Sequence, residues 1–330
     1  MLYPLTFHPA FQERVWGGRD LERLYRKPLP PGVPIGESWE IADRPDVASV
    51  IANGPLAGRN LRWLMENRAV ELMGEATAPH GRFPLLVKIL DAQQVLSVQV
   101  HPPAEVAPKL GGEPKTEMWF VTRAAPRAQL LAGLRRGVER AEFERKLADG
   151  TVGECIHSLT VRAGDALFVP SGRIHALGAG LVIFEIQQNS DTTYRVFDWN
   201  RVGTDGRPRA LHVAQAMASI DFRDFEPGLI ATAWETHGAV RLRRLVTDPL
   251  FTVNELHLPA NHHERPANRP RPRIFAVVSG RLKLVHPGTG VTVTLTDGQF
   301  GVVPASVNDV ELTAEAPVVC LVAEPGVAAT

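Results

Sequence analysis

Apolar runs in this chain of 330 residues are short, and glycine or proline interrupts most of them; 28 glycines and 27 prolines are spread along its length. Breaks at roughly every sixth residue leave no room for long helices and favour strands of four to eight residues. Runs rich in Val, Ile, Leu and Phe predict strands at 84–90, 95–101, 116–122, 166–170, 181–188, 251–257, 274–278, 281–286, 291–295, 300–304 and 317–323. The chain therefore reads as mainly β, a sandwich or barrel. Apolar residues recur at three and four only over 60–74, 137–148 and 212–220, which predicts packing helices or insertions. Patterning weakens between about 221 and 250, and the segment ERPANRPRPR at 264–273 is too rich in Pro and Arg for a central strand. We place a boundary near residue 225, giving units of 1–225 and 226–330. The spacing G-x5-P occurs once in each, from Gly164 to Pro170 and from Gly298 to Pro304. The first copy leads to His175, whereas the second continues ASVNDVEL without a histidine, so only the first unit is equipped for a metal.

Composition limits the partners. Lys plus Arg and Asp plus Glu number 36 each, so no global field draws nucleic acid or an anionic membrane, and an anion needs a local cluster. Cys155 and Cys320 form no C-x-x-C pair, and a reducing cytoplasm is the expected setting. The start MLYPLTFHPAFQERVWGG does not resemble a secretory leader, and no stretch of 18 apolar residues predicts a membrane span.

Chemistry concentrates in three segments. In LSVQVHP the two-residue period puts Ser97, Gln99 and His101 on one face, and residues two apart on one strand lie about 7 Å apart, within joint reach of one ion. In KTEMWFV, Lys115, Glu117 and Trp119 share a face, so Glu117 offers an oxygen ligand. His175 follows the turn Pro170-Ser171-Gly172-Arg173, a reversal that returns the chain inward. One amide, two imidazoles and one carboxylate suit Zn²⁺, and Fe²⁺, Mn²⁺ or Co²⁺ use similar ligands.

Gly164-x5-Pro170-x-Gly172-x2-His175 matches the second motif of the cupin superfamily, and Gln99-x-His101 followed by Glu117 resembles its first, with Gln in place of one His. The segments WGG (16–18), GESWEIA (36–42), FPLLVKILDA (83–92), LSVQVHP, KTEMWFV, FVPSGRIHAL (168–177) and QQNSDTTYRVFDW (187–199) together resemble the short bacterial form of class I mannose-6-phosphate isomerase. The likeness is dense over 1–215 and thins beyond. GGEPKTE before Glu117 departs from the more compact Gly-Lys-x-Glu turn of that family. The resemblance implies a cupin jelly-roll barrel with helical insertions, followed by a smaller C-terminal β-barrel-like unit, a degenerate cupin without metal ligands. It implies one zinc ion per chain held by Gln99, His101, Glu117 and His175, with Arg195 as an active-site arginine.

The implied reaction interconverts mannose 6-phosphate and fructose 6-phosphate through a cis-enediol. It needs a base for a C–H beside a carbonyl and an electrophile for the oxygen that gains charge. Lys115, His101 and a metal-bound water remain open as the proton carrier, and Lys115 joins Arg195 as a catalytic candidate. Arg195 keeps its charge and suits an enediolate or the substrate rather than base chemistry. Lys88 and Arg173 are candidate phosphate contacts beside Lys115 and Arg195, although Lys88 alternates with Leu86 and Leu90 and also fits a snorkelling barrel lysine. Two rivals stand: a cupin that binds a sugar phosphate without turning it over, and an Fe-dependent cupin oxygenase. The expected partner is a small sugar phosphate, and the site needs no second subunit.

Overall fold

The computed structural model describes residues 1–202 and 206–327. Its first half is built mainly from two antiparallel sheets, with a small two-stranded pairing of Phe7–His8 and Val50–Ile51 besides. The larger contains β1 (Ala10–Gly18), β2 (Ile35–Ile41), β3 (Leu85–Ala92), β5 (Glu117–Ala124), β8 (Ala166–Val169) and β10 (Leu181–Gln188), in the order β8-β5-β10-β3-β2-β1. The smaller contains β4 (Val98–Val100), β6 (Gln129–Leu134), β7 (Ile156–Thr160), β9 (His175–Leu177) and β11 (Tyr194–Phe197), in the order β11-β4-β9-β6-β7. The second half repeats the plan. One of its sheets runs β12-β13-β14-β21-β16-β19, from Glu235–His237, Val240–Thr247, Phe251–Leu258, Val318–Pro325, Arg273–Ser279 and Phe300–Val303. The other runs β15-β20-β17-β18, from His262–Glu264, Glu311–Ala314, Arg281–His286 and Val291–Thr296.

The large first sheet is buried on both faces, which is why β3 reads LLVKILDA without visible alternation. Its odd positions Leu85, Val87 and Ile89 join a core shared with Phe251, Val253 and Phe275 of the second half. Its even positions Leu90 and Ala92 pack inside the first barrel with Trp119, Leu167 and Ile183. Lys88 is on the interior face and is 4% exposed. The two halves are also sewn together by main chain, since Leu5 pairs with Val302 and Glu75 N donates to Pro270 O at 2.7 Å.

Sequence periodicity located the helical segments but not their breaks. The run 60–74 is two short helices, Leu61–Asn67 and Ala69–Met73, the first capped by the Asn60 side chain on Trp63 N. The others are Arg140–Ala148 and Val213–Ser219, and an unforeseen helix spans Asp20–Tyr25. The weak region 221–250 contains the short β12 and the longer β13. A register irregularity between Arg244 and Val246 shifts its alternation, and Arg241, Arg243 and Arg244 mask the apolar pattern. The Pro/Arg segment 265–272 lies outside strands, and β16 begins at Arg273. Cys155 and Cys320 are buried free thiols. Among the described residues, no helix is long and apolar enough to cross a membrane.

Candidate active site and metal centre

Strand register assembles the site as two rows of side chains. Across the large sheet, Trp39, Lys88, Glu185 and Trp119 oppose one another on β2, β3, β10 and β5. Across the small sheet, Arg195 opposes Gln99 and Gln99 opposes His175 on β11, β4 and β9. Adjacent strands lie about 4.8 Å apart, so each row spaces its functional groups at strand intervals. Between the rows lies a cavity of about 400 Å³ whose walls include Arg14, Lys88, Gln99, Lys115, Glu185 and Arg195.

His101, Glu117 and His175 converge, with one donor atom from each within 4.8 Å of the others. All three are at most 1% exposed. The Nδ1 of His101 is 2.9 Å from Thr192 O, and the Nδ1 of His175 is 2.9 Å from Arg173 O. A proton on each Nδ1 donates to these carbonyls and leaves each Nε2 lone pair facing Glu117, the tautomer a metal ligand requires. His101 Nε2 and Glu117 Oε1 are buried without hydrogen-bond partners, an arrangement that is costly unless an ion completes it. Gln99 Nε2 lies 3.3 Å from His175 Nε2, and rotation of its amide presents the oxygen to the same point. Burial, with His101 close enough to oppose a second proton, pushes the His175 pKa down to about 3, so the ring is neutral. Gly172 makes the preceding turn possible: its φ of 88° lies in the left-handed region, while its N–H donates to His101 O at 2.8 Å and ties the two histidine segments together.

Around this cluster the charges are dense and paired. Lys115 Nζ is 2.7 Å from Glu117 Oε2 and 3.9 Å from Glu185 Oε1. Burial opposes the lysine charge, but Glu117 and Glu185 more than offset it and raise the Lys115 pKa. Glu185 is 3% exposed, with Trp119 Nε1 donating to its Oε2 at 2.9 Å. Burial dominates there and raises its pKa despite Lys115. Lys88 Nζ lies among Glu37 at 3.4 Å, Glu185 at 3.7 Å and Asp191 at 3.7 Å, above the Trp39 ring.

The arginine side of the cavity carries a surplus of positive charge. Arg195 Nη1 donates to Ala210 O at 2.8 Å, while its Nε is buried without a partner. Burial and the neighbouring Arg209 pull its pKa down, with Arg201 and Arg14 adding to the effect. Asp198 is shared by Arg201 and Arg209, and Arg14 Nε pairs with Glu37 at 2.8 Å. Arg173 is directed elsewhere: its guanidinium makes a two-pronged pair with Asp224 at 2.7 and 2.8 Å, and its contribution to the site is the carbonyl that orients His175. Sequence reading passed over Glu37, Glu185, Arg14 and Arg209. The signal for Glu185 is a lone carboxylate inside the apolar run LVIFEIQQ, opposite the lone lysine of LLVKIL.

Residues 5–117 match the model of the phosphomannose isomerase type I catalytic domain, a span that ends on Glu117. A probable mannose-6-phosphate isomerase of Bacillus subtilis, GmuF, is 39% identical over 67% of this chain and 69% of its own length. The chain belongs to the type I phosphomannose isomerase family. A mannose-6-phosphate isomerase of Streptococcus mutans is 37% identical over 77% of this chain and 78% of its own. The crystal structure of the Bacillus subtilis mannose 6-phosphate isomerase superposes with a TM-score of 0.88 at 29% identity, covering 98% of this chain and 99% of that one. Members of this family depend on a metal, and the buried His101, Glu117 and His175 cluster fits one.

Proposed function

We propose that the chain is a metal-dependent aldose–ketose isomerase that interconverts mannose 6-phosphate and fructose 6-phosphate by moving a proton between C1 and C2 through a cis-enediol. The observation that carries this reading is the row Arg195, Gln99, His175, which sets an unneutralised guanidinium two strands from the convergent His101, Glu117 and His175 donors. That spacing suits an open-chain sugar phosphate with its reacting carbons at one end and its phosphate at the other. In this reading Gln99, His101, Glu117 and His175 hold the metal, and zinc suits this set of nitrogen and oxygen donors. The bound metal supplies Lewis acidity to the oxygen that gains charge.

The chain's own residues do the rest. Lys115 stays an ammonium between Glu117 and Glu185, so it serves as a donor and local positive charge rather than a base. Glu185, with a raised pKa and an orientation fixed by Trp119, suits taking a proton from one carbon and returning it to its neighbour. Arg195, Arg14 and Arg209 receive the phosphate, while Lys88, surrounded by three carboxylates, orders that wall. Residues 1–225 constitute the metal-binding unit and residues 226–330 its smaller companion.

A coupled assay with mannose 6-phosphate, run on purified protein before chelation, after it and after zinc is restored, tests the reading. Metal-dependent formation of fructose 6-phosphate is the expected result. A metal-loaded protein that binds the sugar phosphate but never equilibrates it overturns the isomerase and leaves the binding regulator.

A further inference from the structure

A second cavity, of about 140 Å³, lies between the two sheets of the second half, out of reach of the isomerase reading. Asn254 of β14, Arg273 and Phe275 of β16 and Glu324 of β21 line one side, and Glu264 of β15 and Leu312 of β20 line the other. Arg273 is only 5% exposed. Among the described residues its guanidinium makes no hydrogen bond and no ion pair; it stands 5.9 Å from the Phe275 ring, and the Glu324 charge acts on it from beyond ion-pair distance. Of the two nearby carboxylates, Glu324 is already engaged by other arginines. Glu324 Oε2 takes Arg271 Nη2 at 2.6 Å, with Arg269 Nε at 3.8 Å from the other oxygen, and Glu264 lies 3.1 Å from His262. Three arginines thus stand around one paired carboxylate.

A guanidinium largely removed from water with no carboxylate in ion-pair contact is costly, so a folded chain keeps one only where something repays it. Burial pulls the Arg273 pKa down, Glu324 opposes that effect, and Arg269 reinforces it. The planar fork of an arginine matches two oxygens of one anion, and the cavity has room for a phosphate-sized group. The Pro/Arg run that the strand pattern rejects is what brings Arg269 and Arg273 to this wall, with Arg271 paired to Glu324.

We propose that the second barrel binds a small oxyanion, either phosphate or a short carboxylate, on Arg273. The site stands whether or not the first barrel isomerises a sugar phosphate. To weaken anion binding at the first site, titration calorimetry and thermal melting are run on Arg195→Met in chloride buffer, with inorganic phosphate in one arm and malonate in the other. One equivalent of at least one anion binds Arg195→Met and raises its melting temperature, and the arm that responds identifies the chemistry. Arg195→Met/Arg273→Met loses that binding at least tenfold, and without anion it melts no lower than its parent, because methionine replaces an unpaired cation. If the double variant does not fold, Arg195→Met/Arg273→Lys keeps the charge, loses the fork and binds about tenfold more weakly. Absence of binding to Arg195→Met in both arms, or undiminished binding after either Arg273 substitution, overturns the proposal.

Discussion

Glu37 provides the sharpest quantitative test of how the cavity wall is held. Burial opposes its charge, yet Lys88 and Arg14, helped by the Trp39 N–H, bring its pKa down from 4.5 to about 2. A depressed carboxylate pKa adds stability that is complete above the unfolded-state value and disappears as pH falls through the folded-state value. A shift of roughly two and a half units corresponds to about 3 kcal/mol at neutral pH, at about 1.4 kcal/mol per unit. Of this, about 2 kcal/mol is lost between pH 5 and pH 3 by the same linkage. Glu37→Gln removes the titrating group. Urea unfolding followed by tryptophan fluorescence, at pH steps from 7 to 3, gives wild type minus variant directly. The difference is expected to be about 3 kcal/mol at pH 7 and to shrink by about 2 kcal/mol between pH 5 and pH 3. A difference independent of pH would mean that Glu37 acts through packing alone and that Lys88 and Arg14 do not stabilise its charge.

Other perturbations separate the parts of the site. His175→Ala should lose both bound metal, measured by elemental analysis after dialysis, and turnover, whereas Arg195→Ala should keep the metal and lose turnover. Arg209→Met, which removes one cation from the arginine wall, should raise KM for the sugar phosphate about tenfold to a hundredfold with a smaller change in kcat, as expected for a charge-assisted hydrogen bond. Lys27→Ala breaks a buried pair of 2.7 Å with Glu40, whose carboxylate also accepts from Ser38, and should cost about 3 to 5 kcal/mol in urea unfolding.

How much of this could be read from sequence depended on what each element faces. The ligand segments were legible because their pattern is local: Gln99 in β4 and His101 just past its end are two apart, and the turn that ends in His175 announces itself through Pro170 and Gly172. The surrounding carboxylates were hidden, because β3 and β10 are buried on both faces and show no alternation to say which side Lys88 and Glu185 occupy. Only the register, Lys88 against Glu185 and Glu185 against Trp119, reveals that lone charges in separate apolar runs neutralise one another across a sheet. Arg173 shows the reverse limit. Its proximity to the motif suggested phosphate, but Asp224, fifty-one residues later, closes on it from a loop that no periodicity describes. An unneutralised cation is therefore more informative than a cation near a motif. By that criterion Arg195 and Arg273, the first with an orphaned Nε and the second without an ion pair among the described residues, are the positions at which we propose that each barrel receives an anion.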